Sequence, residues 1–555
     1  MRIEQGFQPS PFPEQNVFLT DPVLPSLLKR ILPLDVSAKV LPDLERLGDD
    51  VINVIRPLGS GPLMAKPTIT QYDQWGRRVD ALHTSEGWRK MKAISQQEGL
   101  PAIFYERQFG EYSRVYGFAK MLLMVGDTQE VFCPMSMTDG AARVLELFGN
   151  DATKEVYDRL ISRDPGKGIT AGQWMTERPG GSDVSLTETT AVPLQEKHSY
   201  GDVYFLNGVK WFSSATDSEI SVALARTDAG DAGARGLSLF LIPLRLPLFP
   251  SLSEPKPSPI SNNIFIHRLK DKIGTHALPT AELSLEGTKG YLIGPLNKGV
   301  KSIIPVLNIT RVWSAVTSCG HLRKCLEIAA SYATVRRVRS GTLLLSDSVI
   351  HVERLAQVSL LYRALTHMVF GVVRLMGKVE CNGPKGGEQD SLRLRMLTPL
   401  WEVRVHMEEN GFGRAIRDAM VEKIWEGTVV VLALDLTRAA RDPRVLKSFI
   451  QWAEDVIVSW ALHPLIHRPG LILVGYLTSS LYLLEHAAWS WTQKTETKDV
   501  DVEVVKRWAL DNGLKGALED VQRAMESGDA KIELDKQIAF GAGPPLIGRA
   551  EVAKL

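Results

Sequence analysis

Between about residues 168 and 295 the hydrophobic pattern changes its period, and that change limits the possible folds more than any other feature of the chain. Before it, apolar residues recur at helical spacing, as in Leu24, Leu27, Leu28, Ile31 and Leu32, and again in Ala119, Met121, Leu122, Met124 and Val125. Within it, short alternating runs at Val203–Leu206, Ile220–Ala225 and Leu237–Ile242 are separated by turn residues. Asn207-Gly208 follows the first run, and Asn-Gly between such runs predicts a hairpin. After about residue 298 helical periodicity returns. The expected class is α+β: an N-terminal helical domain (1–167), a middle β-barrel or sandwich domain (168–297), a C-terminal helical bundle (298–440) and a further helical region (441–555).

Finer features follow from local chemistry. Cys133-Pro134-Met135-Ser136-Met137-Thr138-Asp139 reads as a loop leading into a helix over Ala141–Leu147, and Asn382–Gly387 reads as a surface loop. Pro469–Leu484 is the longest apolar stretch, short for a membrane span and broken by Thr478, Ser479 and Ser480, so a buried helix is expected and no membrane. A net charge of +1 and a balanced count of acids and bases over 441–555 give no basic face for nucleic acid. Four scattered cysteines suggest neither a disulfide framework nor a metal site. The N-terminus lacks the apolar core of a secretory signal, and Ala553-Lys554-Leu555 is similar to the peroxisomal address Ser-Lys-Leu, so a peroxisomal or cytoplasmic location is expected.

Two strings carry chemistry. Met175-Thr176-Glu177-Arg178-Pro179-Gly180-Gly181-Ser182-Asp183-Val184 opens the β region, and its paired glycines allow a tight turn that can present N–H groups to an anion. The lysine of a Walker loop and the spacing of a dinucleotide fingerprint are both absent. About 250 residues later, Ile424-Trp425-Glu426-Gly427-Thr428 sets one carboxylate between a bulky aromatic and a glycine at the foot of an apolar run. Desolvation there raises a carboxylate's pKa and makes it a better base near neutral pH. Between the two strings, Lys210-Trp211-Phe212-Ser213-Ser214 brings aromatics and hydroxyls to one end of the expected sheet.

In this order the strings resemble the acyl-CoA dehydrogenase family, more closely its AidB-like (alkylation-response) branch, from about Gln15 to Arg438. Tyr72–Asp80, Cys133-Pro134-Met135, Arg268–Gly274 and Asn308-Ile309-Thr310-Arg311 extend the resemblance. It implies FAD held between the β domain and the C-terminal bundle. Met175 and Thr176 match positions bonding the flavin pyrimidine edge, Gly181 and Ser182 those bonding the pyrophosphate, and Thr428 a further pyrophosphate contact. Phe212 falls where the family has a tryptophan against the isoalloxazine, and Ser214 replaces a threonine near flavin N5. Arg336 matches an arginine that reaches the FAD of a neighbouring subunit, which implies a homodimer or homotetramer. Glu426 matches the base. The implied reaction is α,β-dehydrogenation of an acyl group, expected as a CoA thioester: Glu426 takes the α-proton and the β-hydrogen leaves as hydride to the flavin.

The pattern departs from the family at three places. Arg336-Arg337-Val338-Arg339-Ser340 stands where an Arg-x-x-Phe-Gly pattern is usual, Val430 occupies a usually polar position, and Leu397–Ala419 is shorter than its family counterpart. All three bear on the adenine-pyrophosphate half of the cofactor. They leave room for a tailoring flavoenzyme of specialised-metabolite biosynthesis on a non-CoA acyl substrate, or for a flavin-poor AidB-like paralogue with a structural or DNA-associated role.

Overall fold

The structure, a computed structural model, describes residues 15–228, 233–249, 260–338, 340–382, 388–398, 429–453 and 467–526. Its first section contains the helices α1 (Leu24–Ile31), α2 (Leu34–Asp50), α3 (Glu86–Gln97), α4 (Ser113–Met124) and α5 (Phe132–Phe148). On α1 the buried residues are Leu24, Leu27, Leu28 and Ile31, an i, i+3, i+4, i+7 stripe facing the core. The Ser85 hydroxyl caps α3 by accepting from the Trp88 N–H at 3.2 Å.

The expected loop at Cys133–Asp139 is instead the first half of α5. Pro134 falls in the opening turn, where its missing N–H would have had no helical partner, so it breaks nothing. This section also carries one hairpin that the helical reading did not anticipate, β1 (Thr68–Tyr72) and β2 (Arg78–His83). Asp73 shapes its turn by accepting from the N–H groups of Trp75 and Arg77 at 2.8 and 3.0 Å. Asp80 on β2 then accepts the Ile266 N–H at 2.8 Å, tying the hairpin to the β domain.

That domain comprises β3 (Ala171–Trp174), β4 (Thr190–His198), β5 (Gly201–Ser214), β6 (Ile220–Arg226), β7 (Leu237–Pro243), β8 (Ile264–Leu269) and β9 (Thr280–Ile293). The pairing order is β8-β9-β5-β4-β6-β3, with β7 bridging β9 and β6, so five strands close into a barrel. Leu206, Phe240, Ile242, Leu283 and Leu285 fill it. The hairpin expected at Asn207-Gly208 does not form: β5 runs straight through both residues. A Cβ on Gly208 would stand 2.5 Å from Thr189 Oγ1, and the Asn207 side chain accepts the Gly287 N–H at 2.7 Å where β9 bulges. The dipeptide serves close strand packing, not a turn.

Helices α6 (Gly299–Ala333), α7 (Val349–Asn382) and α8 (Glu388–Leu397) follow. Then come α9 (Val429–Ala440), α10 (Pro443–Ala453), α11 (His467–Gln493), α12 (Lys498–Lys506) and α13 (Leu514–Glu526). Leu473, Val474, Leu477 and Leu483 of α11 are buried, as expected for the apolar stretch within it. The early and late helices share one core around Asp139 of α5. Its carboxylate accepts from the Tyr105 hydroxyl at 2.6 Å, the Trp313 Nε1–H of α6 at 2.8 Å and the Arg114 guanidinium of α4. Arg114 in turn reaches Glu380 of α7 at 2.7 Å. Two early helices and two late ones thus meet at one satisfied polar centre.

A second cluster clamps α2 to α4. Asp43 lies 2.8 Å from Lys120 and accepts from the Tyr116 hydroxyl at 2.5 Å. Against desolvation, which works the other way, these bonds and the Lys120 charge bring its carboxyl down from 3.8 to about 2. A depressed carboxyl contributes stability above its unfolded value, lost as pH falls through the folded one. Asp43→Asn should therefore be destabilising at pH 5, with the gap in urea midpoint to the parent closing as pH drops from about 4 towards about 2. A gap independent of pH over that window would exclude this role for Asp43.

Candidate functional site

Six of the residues matched to a cofactor, Met175, Thr176, Gly181, Ser182, Phe212 and Ser214, lie at one end of the barrel. Trp174, the last residue of β3, is buried, and Met175 and Thr176 follow it half-buried. The Thr176 carbonyl accepts the Trp211 N–H at 3.0 Å, which pins the chain leaving β3 to β5 one residue before Phe212. The chain then turns: Glu177 and Gly180 exchange backbone hydrogen bonds at 2.9 and 3.2 Å. A Cβ on Gly180 would stand 2.2 Å from the Asp183 carbonyl oxygen, and one on Gly181 would stand 2.9 Å from Thr176 Cγ2. Gly181 and Ser182 are exposed at the tip.

One buried ion pair holds this turn in place. Lys210 of β5 and Glu177 are both buried, with Nζ and Oε1 2.5 Å apart. The Glu177 carboxylate also accepts from the Glu188 N–H at 2.6 Å and the Thr189 N–H and hydroxyl at 3.2 and 2.5 Å. Lys210 gives a further bond to the Leu224 carbonyl at 2.9 Å. Burial pushes the Lys210 ammonium down from its ordinary value, and the adjacent carboxylate opposes the shift. Beyond the turn, Asp183 accepts the Ser185 N–H at 2.9 Å. Bonds from Ser185, with a smaller contribution from Arg438 on α9, hold its carboxyl below the usual range.

Beside this turn lies an aromatic shelf. Phe212 is 46% exposed, unusual for a phenylalanine on a barrel strand, and Trp211 beside it is half-buried. The Lys270 ammonium stands over both rings, 3.3 Å from the centroid of Trp211 and 4.5 Å from that of Phe212, and Glu282 holds it at 2.6 Å. Ser214 is half-buried at the end of β5, its hydroxyl 3.0 Å from that of Thr280. The hydroxyls of Thr176 and Ser182 make no hydrogen bond among the described residues. An exposed ring, free hydroxyls and a glycine turn at one barrel end fit a flat, anionic dinucleotide such as FAD.

The structure thus brings Met175, Thr176, Gly181, Ser182, Phe212 and Ser214 together. Arg336 is elsewhere, exposed on the hairpin after α6, where Arg337-Val338 pairs with Leu343-Leu344. Ser340, in the family's glycine position, takes a left-handed φ of 54° in that turn. Glu426 and Thr428 lie outside the described residues, as does most of the shortened segment. The helix after them, α9, is anchored: its Asp435 accepts from Arg311 of α6 at 2.9 Å and Arg395 of α8 at 2.6 Å. Sequence reasoning gave no role to Glu177 or Lys210. The signal was available, because Lys210 shares the inward alternation of Leu206 and Gly208 on β5, and a lysine there needs a buried carboxylate.

Three family descriptions match the chain in succession. They are the adaptive response protein AidB N-terminal domain at 7–165, the acyl-CoA dehydrogenase middle domain at 172–288 and the acyl-CoA dehydrogenase C-terminal domain at 297–440. The chain is 37% identical to acyl-CoA dehydrogenase family member 11 of Caenorhabditis elegans, over 76% of this chain and 70% of that one. It is 26% identical to the putative acyl-CoA dehydrogenase AidB of Escherichia coli, over 67% and 69%. The crystal structure of Caenorhabditis elegans ACDH-11 in complex with C11-CoA superposes with a TM-score of 0.85 at 30% identity, covering 98% of this chain and 100% of that one.

Lys210→Met should leave the Glu177 carboxylate buried without its cation, a change of about 3–5 kcal/mol. We expect a lower thermal midpoint and faster hydrogen exchange at the amides of Glu188 and Thr189, with much of the loss recovered when Glu177→Gln is added. Unaltered exchange at those two amides in the single variant would show that the pair does not hold the turn.

Proposed function

This chain belongs to the acyl-CoA dehydrogenase family, on its AidB-like branch, and from that premise we propose that it is an FAD-dependent oxidoreductase desaturating an acyl-CoA thioester between its α and β carbons. The observation that carries the reading is the exposed Phe212 shelf beside the glycine turn, where the Thr176 and Ser182 hydroxyls make no hydrogen bond among the described residues. Met175 and Thr176 would hold the flavin's pyrimidine edge, Phe212 and Ser214 its ring, and Gly181, Ser182 and Thr428 its pyrophosphate. The exposed Arg336 would serve the cofactor of a neighbouring subunit, making the active form an oligomer. When bound, FAD supplies the hydride acceptor.

The rest of the chemistry falls to this chain's own groups. Glu426 would take the proton α to the thioester carbonyl, since a carboxylate set between an aromatic and a glycine is of the type that serves as a base near neutral pH. On the family's pattern the Glu426 backbone N–H would stabilise the negative charge that develops on the carbonyl oxygen. The C11-CoA seen with ACDH-11 supports a CoA thioester over an unactivated acid. The thioester also makes the α-proton acidic enough for a carboxylate base.

The purified protein should show flavin absorbance that bleaches anaerobically with a medium-chain acyl-CoA. Glu426→Gln should retain the flavin and slow the bleaching by ~10²-fold or more. Bleaching at the parent rate in that variant would transfer the role of base to another residue, and a protein that stays colourless after FAD addition would end the redox reading.

A further inference from the structure

Remote from the β barrel, a cleft of about 470 Å³ opens between α7 and α12. From α7 it is lined by Ala356, Ser359, Leu360 and Arg363, and from α12 by Val500 and Val504. The α7 residues follow i, i+3, i+4, i+7 spacing, so they form one continuous stripe with small and apolar groups along it and a cation at its end. Leu360 is buried in one cluster with Leu483 and Trp508, which gives the cleft an apolar floor. The volume lies in the range of small-molecule sites, ~300–1,000 Å³.

Arg363 gives the cleft its chemistry. It is half-buried and makes no hydrogen bond or ion pair among the described residues. The carboxylates within electrostatic reach are Asp501 and Asp21, and both are committed elsewhere. Asp501 accepts from Ser490 at 2.7 Å and Thr497 at 2.9 Å, while Asp21 accepts from the Tyr362 hydroxyl at 2.6 Å and caps α1 through the Val23 and Leu24 N–H groups. At the rim, Glu503 and Arg507 neutralise one another at 2.8 Å, and Asp499 is exposed to water. An unpaired guanidinium at the end of an apolar trough is chemistry for one ligand class. Its forked N–H donors match a carboxylate, while an aliphatic tail would cover Leu360, Val500 and Val504.

We infer that this cleft binds a small amphipathic carboxylate, with Arg363 taking the head group and the α7 and α12 stripes taking the tail. The site is separate from the flavin shelf and does not depend on the redox reading. Titration calorimetry on the full chain, with decanoate as the probe and decanol as its uncharged counterpart, tests it. Decanoate should bind one site per chain, and decanol about tenfold or more weakly. Arg363→Gln should weaken decanoate by a similar factor and leave decanol unchanged, while Arg363→Lys should recover part of the loss. Ser359→Trp, which fills the cleft while position 363 stays arginine, should block both ligands. Binding should persist with the acyl site saturated by an acyl-CoA. No decanoate binding, equal binding of decanoate and decanol, an Arg363→Gln variant that binds like the parent, or displacement by the acyl-CoA would each overturn the proposal.

Discussion

The pair formed by Glu177 and Lys210 is the constraint on which the candidate site depends. A lysine placed inward on a barrel strand must have its charge answered, and the answer comes from a loop residue 33 positions away. Because the same carboxylate also takes two backbone N–H groups and the Thr189 hydroxyl, four separate donors fix the loop in one geometry. Paired buried charges add little net stability over an apolar isostere, since desolvation offsets most of the attraction. What they contribute here is uniqueness of position, and the anion-binding role proposed for this turn needs position more than it needs stability.

The same logic operates on a larger scale around Asp139. Tyr105, Arg114 and Trp313 converge on its carboxylate, and Arg114 extends the network to Glu380. A purely apolar interface among these long helices could slide by a turn with modest loss. A set of directed donors tolerates one register. The network fixes α6 and α7 against the first section, and Asp435 then fixes α9 against α6 and α8. Polar contacts, few in number, therefore determine how the helical walls stand relative to the barrel end.

How much of this was legible in the sequence follows from how local each signal is. The helix–barrel–helix order was legible because it rests on a change of period sustained over many residues, and the Leu24–Ile31 stripe and the apolar stretch in α11 were legible for the same reason. Asn207-Gly208 misled because a dipeptide carries its turn preference without its neighbours, and the neighbours decide: Thr189 needs the missing side chain and Gly287 needs the amide. Pro134 misled because a helix breaker is harmless in the first turn, and the start of α5 is set by tertiary burial of Phe132 and Met135 rather than by a sequence cap. On the site, the glycine turn and Phe212 could be named from motif order alone. The Glu177–Lys210 pairing is tertiary, so only the inward position of Lys210 hinted at it.

The treatment of charge across the molecule gives weight to its exceptions. The buried cations Arg114, Lys120, Lys210, Arg323 and Lys324 each have a carboxylate within an ion-pair distance: Asp139, Asp43, Glu177, Glu327 and Asp127 respectively. A chain that answers its buried charge this consistently does so because leaving one unanswered costs several kcal/mol. Arg363, half-buried, has no such partner among the described residues, although Asp501 and Asp21 act on it through space. Both instead spend their lone pairs on hydroxyls and backbone N–H groups. The guanidinium lines a cleft that also holds Leu360, Val500 and Val504, and no carboxylate among the described residues forms an ion pair with it. An arginine so placed, half-buried and lining an apolar cleft, has its donors available to a ligand.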